Sequence, residues 1–349
     1  MRLERRAHVP LSVVILAPVA AVVAALALSG VLIAIAGAAP LEAYAKMLTG
    51  AFGTRLSISE TLTRTTPLIL TGLAAAVAFR ARLWNIGGEG QFYVGALVAA
   101  WLGHGVLAGL PGPIAIPALM LAGMLAGGLL LLGPVALRLR YGVDEVVTTL
   151  LLNFIVILFV SMMIEGPLKD PLAFGWPQSV PVGSELMLPK LLPGTRLHIG
   201  LLVAIAAGVL IWMLQARTVF GMESRAAGLN PRAAAFAGVS LPRTLIAVAC
   251  LSGGLAGLAG AIEVAGLKGY VTTDLSPGYG YSGIVVAMLA ALHPVGVIAT
   301  ALFVAIVFVG ADSMSRALGV PSFIADVIVS ISLLTMLVSL LFTSYRVRR

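Results

Sequence analysis

A single cysteine, Cys250, stands in the 349 residues, so an intrachain disulfide is impossible and no redox compartment follows. Charge is almost as scarce. Asp, Glu, Lys and Arg make up 10% of the chain, against about a quarter in an ordinary soluble domain. Also missing are a GxxxxGK[ST] loop, an HExxH run, a CxxC pair and a serine, histidine and acid grouping outside the apolar runs. Their absence removes the usual signs of phosphate-loop, zinc and nucleophilic chemistry. The sequence therefore reads as a non-enzyme, with no catalytic residue, no metal ligands and no cofactor.

What is present is apolar. Hydrophobic residues make up 60% of the chain and the mean hydropathy is +1.07, which places it in a bilayer as an integral membrane protein. Unbroken apolar runs exclude a membrane β-barrel, whose strands alternate apolar and polar over about 10 residues. The expected fold is all-α. The 39 glycines and 19 prolines fit membrane helices, where neighbours re-pair the backbone that such residues interrupt. A net charge of +8 reads as topology marking on such a chain, with no nucleic-acid partner.

Taken in order, the runs predict about ten transmembrane helices, at 11–36, 58–79, 92–110, 114–137, 146–164, 200–214, 244–266, 284–292, 295–311 and 323–342. The first is longer than the roughly 7–15-residue apolar core of a secretory signal and reads as a retained helix. The eighth is too short to cross a core of roughly 30 Å and reads as a half-helix. Residues 40–57 and 165–198 are predicted external connections, and 215–243 the longest internal loop. Most of the 22 basic residues then fall inside, including Arg80, Arg82, Arg138, Arg140 and the C-terminal tail, which predicts both termini in the cytoplasm. Glu60 and Arg64 have the spacing of a helical ion pair. Asn153 is expected to hydrogen-bond a neighbouring helix, and Gly253, Gly257 and Gly260 to allow close helix packing.

Two polar stretches break the pattern, FRARLWNIGGEGQFY at 79–93 and LKGYVTTDLSPGYGYSG at 267–283. Glycine-broken backbone at membrane depth is tolerated only where protein or a water-filled cavity satisfies it. By the predicted layout the first break faces the cytoplasm and the second faces outward, as in an inverted internal repeat whose broken helices mark a translocation path. Candidate path residues are Asn85, Gly87, Gly88, Glu89, Gln91, Tyr279 and Ser282. For Glu89, a structural pairing with Arg80 or Arg82 is favoured over solute contact, because a free carboxylate would penalise a neutral solute's path. In the internal loop, Asn230 is a helix N-cap with Pro231 at the first helical position, and the short helix ends near Gly238. Such a helix suits docking into a soluble partner, though an ordinary surface helix fits the local chemistry equally well.

Three segments carry a resemblance: LWNIGGEGQFYVGA at 83–96, YGVDEVVTTLLLNFI at 141–155 and GLNPRAAAFAGVS at 228–240. With them the chain resembles, over essentially its whole length, the permease subunits of bacterial ABC importers for simple sugars and nucleosides, in the branched-chain amino acid and ribose permease superfamily. The resemblance implies a single transmembrane permease domain over 1–349 in the bacterial plasma membrane. Gly228, Asn230, Pro231, Ala234, Ala235 and Gly238 match the loop that engages the ATPase. Here Glu223 is followed by Ser224, so the EAA-x₃-G form of other importer classes is absent. The implied partners are an ABC ATPase subunit, a second homologous permease chain, identical or different, and an external substrate-binding lipoprotein. The GGEGQ form looks closer to the nucleoside members than to the ribose members. The rival reading from the residues alone is an ion-coupled secondary transporter, with Glu263 and Asp326 as the embedded carboxylates.

Overall fold

A computed structural model describes residues 2–5, 11–321, 323, 324, 327–331, 334, 335, 338 and 345–348. Asp326 and part of the last predicted span lie outside the described residues. The helices are α1 (Leu11–Ile35), α2 (Pro40–Phe52), α3 (Arg55–Arg80), α4 (Gly88–His104), α5 (Gly112–Tyr141), α6 (Glu145–Glu165), α7 (Gly200–Arg217), α8 (Val219–Leu229), α9 (Pro231–Phe236), α10 (Leu241–Glu263), α11 (Tyr279–Leu289) and α12 (Pro294–Leu318). Short strands β1 (Arg2–Arg5) and β2 (Tyr345–Arg348) pair antiparallel. The fold is all-α apart from this terminal pair.

Among the described residues six helices are long and apolar enough to cross a membrane, or seven if a bent pair is one span. The predicted count of ten is therefore not reproduced. The bent pair is α1 and α2, which meet at 111°. Gly37 makes the corner with a φ of +88°, a region glycine enters without steric cost. Residues 40–52, expected as a polar connection, are instead the helix α2, with Ala43, Met47 and Ala51 buried. Spaced four apart, these three form one face, and the polar residues between them take the other.

The chain divides into two units, residues 1–61 with 303–349 and residues 62–302. In the first, Gly50 lies against Ser313 and Gly310 against Met47. In the second, α10 is the central helix, and 78% of its apolar window is buried. Lipid tails provide no hydrophobic drive between helices, so association rests on close van der Waals packing. The predicted glycine face provides it. A Cβ on Gly253 would lie 2.4 Å from the Gly127 carbonyl oxygen, one on Gly257 2.1 Å from that of Gly123, and one on Gly260 1.9 Å from that of Phe92. Helices α4 and α5 thus rest on the bare backbone of α10.

The segment 166–199 is tied down by main-chain bonds to the turn that follows α10. Val182 N–H donates to the Gly269 oxygen at 2.7 Å, Leu188 N–H to that of Ala265 at 2.7 Å, and Ser179 N–H to that of Val271 at 2.9 Å. His198 is sealed beneath it, 1% exposed. Its Nδ1 accepts the Gly200 N–H at 3.2 Å, which places the ring proton on Nε2, where no partner is found among the described residues. Burial pushes its pKa down to about 4. The sign follows directly. Below about pH 6.5 the unfolded chain takes up a proton that the folded chain refuses until about pH 4, so stability falls across that window, by at most about 3 kcal/mol. Thermal unfolding of the solubilised protein is expected to show this acid slope, and His198→Leu to flatten it.

Candidate functional site

The two polar breaks, expected at opposite faces, meet. Gly88 begins α4 and Tyr279 begins α11, and a Cβ on Gly280 would lie 2.1 Å from the Glu89 nitrogen. The Glu89 carboxylate accepts the Gly280 N–H at 2.6 Å. Two helix N-termini converge here, each with N–H groups that no residue of its own helix can satisfy. The Glu89 side chain in the first turn of α4 satisfies one such group in α11. Glu89 is therefore not held by Arg80 or Arg82. Arg80 donates to the Gln215 side chain, and the Arg82 carbonyl accepts from Arg138 at 3.1 Å.

Around this junction lies a buried polar hub. Asn85 and Gln91, 3% and 1% exposed, form a reciprocal amide pair, with both N···O distances 2.8 Å. Asn85 also accepts the Gly87 N–H at 3.0 Å, the local turn bond that asparagine favours. Its amide donates to Ser252 on α10 at 3.0 Å, and Ser252 donates to the Ala74 oxygen at 2.7 Å. Thus one amide pair joins the break, α10 and α3. From α6, Asn153 accepts the Gly90 N–H at 2.8 Å and donates to the Ile86 oxygen at 2.9 Å, as expected of an asparagine inside an apolar helix. Thr149 accepts the Ile86 N–H at 3.2 Å. On the other side, Tyr93 donates its hydroxyl to the Thr273 oxygen at 2.6 Å and accepts the Ser276 N–H at 3.2 Å.

The predicted residues Asn85, Gly87, Gly88, Glu89, Gln91 and Tyr279 are all buried within this chain, and Ser282 is half-buried. The structure brings them together in one region. Sequence reasoning missed Ser252, Thr149, Tyr93 and Tyr281, whose hydroxyl lies 3.1 Å from the Asn153 amide nitrogen. It also missed the ion pair at the edge. Arg138 and Glu145 are 2.5 Å apart, and the same carboxylate accepts the Trp84 N–H at 3.2 Å.

The internal loop forms an elbow of α8 and α9. Asn230 caps α9 as predicted, accepting the Ala233 N–H at 3.1 Å, with Pro231 next. The helix ends at Phe236, and Gly238 follows with a φ of +89°. A Cβ on Gly228 would lie 2.3 Å from the Arg80 oxygen, so this glycine seats the elbow on the end of α3. Ala234 is buried, Ala235 is exposed, and Leu229 and Phe236 stand 77% and 96% exposed.

A multi-pass helical membrane protein built around a hydrogen-bonded junction of broken helices is the class these features define. Residues 57–341 match the family described as branched-chain amino acid transport system, permease component, and the chain belongs to that family. It is 35% identical to the glucose ABC transporter permease protein TsgB13 of Haloferax volcanii over 99% of this chain and 93% of that one. It is 33% identical to the guanosine ABC transporter permease protein NupP of Bacillus subtilis, covering 92% of each chain. With the nucleoside ABC transporter permease protein NupB of Lactococcus lactis it shares 32% identity over 90% of this chain and 88% of the relative.

Proposed function

We propose that this chain is the membrane-crossing subunit of an ATP-driven importer for nucleosides or related simple sugars, a single permease domain working with a second permease chain, an ATPase subunit and an external binding lipoprotein. The observation that carries the coupling is the elbow. Its inner side is seated on α3 through Gly228, and its outer side offers Leu229 and Phe236. A large apolar side chain almost fully exposed beside a short capped helix suits a cleft on a soluble partner. ATP-driven closure of that partner would push the elbow against the Arg80 end of α3, the end that leads directly into the 81–91 break. Alternating access then follows as rocking about the junction of α4 and α11.

The substrate class follows from charge. Beside the junction Glu89 is committed to a backbone N–H, Arg138 to Glu145 and Arg80 to Gln215. Hydroxyls stand at the half-exposed edge, on Ser282 and on Tyr281, whose oxygen also accepts from the Asn153 amide at 3.1 Å. A neutral, hydroxyl-bearing solute suits such a surface, whereas a zwitterionic amino acid needs fixed counter-charges to repay its desolvation. Ser282 and Tyr281 face the path in this reading, and Asn85, Gly87, Gly88, Glu89, Gln91 and Tyr279 form the wall that gives it shape. Two of the three relatives act on nucleosides by name, and the GGEGQ form points the same way. Both chain ends lie together in the β1–β2 pair, which supports both termini on one side, the cytoplasmic side of a bacterial plasma membrane.

Reconstitution with the ATPase and binding protein tests the reading. Phe236→Asp is expected to cut ATPase co-purification and labelled guanosine uptake about tenfold or more, the loss of one buried anchor. The permease itself should remain monodisperse, because that side chain touches little within the chain. Unchanged uptake would remove the elbow from the coupling. Uptake that persists without the ATPase and collapses with an ionophore would favour the ion-coupled reading instead.

A further inference from the structure

A cavity of about 610 Å³ opens between the last turns of α5 and the first turns of α6, within the usual size range of about 300–1,000 Å³ for ligand sites. Its wall is apolar, built by Gly133, Pro134, Leu137, Leu151 and Ile155, and Arg140 stands at the polar end. Pro134 lacks the N–H that would continue the helix ladder, and Gly133 contributes no side chain, so the concavity is a product of the sequence at that turn. A Cβ on Gly133 would meet nothing within 4 Å.

The two neighbouring arginines differ. Arg138 is neutralised by Glu145 at 2.5 Å. Arg140, exposed, makes no hydrogen bond or ion pair among the described residues. The nearby Asp144 is turned to cap α6, accepting the Val146 N–H at 2.8 Å. With 30 residues, α5 is about 45 Å long, enough to carry its end beyond a hydrocarbon core of about 30 Å. The basic last turn of α5, with Arg138 and Arg140, is the end that suits headgroup depth, and Leu151 and Ile155 stand farther along α6 from it. The N-terminal end of α6 adds a positive dipole on the same side.

We infer that this cavity is a phospholipid site, in which Arg140 holds the phosphate and an acyl chain fills the groove between α5 and α6. An acyl chain matches the apolar wall, and a phosphate supplies the counter-charge that Arg140 lacks. The inference rests on the membrane-spanning fold and not on the transported solute, so it stands or falls apart from the importer reading.

The test is native mass spectrometry of the purified protein in mild detergent, titrated with phosphatidylglycerol, with a diacylglycerol of the same chains and with inorganic phosphate. Wild-type protein is expected to retain phosphatidylglycerol in preference to both others. Arg140→Gln should lose about fivefold in apparent affinity, the interaction expected of one basic side chain at a lipid surface. Gly133→Leu should lose lipid by filling the groove while folding normally, since open space surrounds that position. Equal retention by Arg140→Gln, or equal binding of diacylglycerol, would overturn the inference. So would tight binding of inorganic phosphate alone, or a cysteine at position 151 that cross-links to a second permease chain.

Discussion

Gly280→Val is expected to abolish recovery of folded protein from the membrane, while Gly88→Ala, on the other side of the same contact, is expected to be tolerated. A Cβ at position 280 would sit 2.1 Å from the Glu89 nitrogen and 2.5 Å from its Cα. Those are main-chain atoms at the start of a buried helix, and no rotamer change relieves them. The two helix ends would have to separate, breaking the 2.6 Å bond between Glu89 and the Gly280 N–H. Overpacking in a tight core costs about 1–3 kcal/mol and more where backbone must move, and an unsatisfied buried group adds about 1–3 kcal/mol. By contrast, a Cβ at position 88 would lie 3.4 Å from the Gly280 oxygen, an ordinary contact. Fluorescence-detected size exclusion of the tagged variants separates the two outcomes. If Gly280→Val runs as a monodisperse peak with wild-type yield, the junction does not hold the fold.

Glu145→Ala is expected to destabilise the chain by about 3 kcal/mol, the usual scale for removing one partner of a largely buried ion pair. The change leaves the Arg138 guanidinium without its 2.5 Å partner and the Trp84 N–H without its acceptor at 3.2 Å. Glu145→Gln retains an acceptor and should recover part of the loss. A paired Arg138→Met, Glu145→Met chain should recover more than either single change, because no lone charge remains. Thermal melting in detergent reads all three variants, and a Glu145→Ala chain that melts with the wild type would show the pair to be solvated and inert.

Much of this architecture was legible because membrane helices leave simple marks. The spacing of Gly253, Gly257 and Gly260 announced a face for close packing, and Asn153 in an apolar run had to find a partner on another helix. Asn230 followed by Pro231 marked a helix start at the right residue. Helix α2 was illegible as a helix because Glu42, Lys46 and Thr49 lower its hydropathy, although Ala43, Met47 and Ala51 keep an apolar face. Partners across large separations carried no local sign. Glu89 and Gly280 are 191 residues apart, so nearby arginines were the natural but incorrect partners. The Arg138 and Glu145 pair is close in sequence, yet it forms only because Gly142 takes a φ of +67° and reverses the chain. The side chains proposed to line a path gathered in one place, but their mutual hydrogen bonding depends on orientation, which no spacing encodes.

The reciprocal Asn85–Gln91 pair has a consequence for the conditions under which the protein keeps its shape. Amides neither gain nor lose protons across the physiological range, and the dipoles they present are short-ranged and sealed from mobile ions. With Ser252, Thr149 and Asn153 joining them, the inner hub is a set of permanently neutral fasteners. Acid acts outside this set, at His198, and leaves the amide and hydroxyl fasteners themselves unchanged.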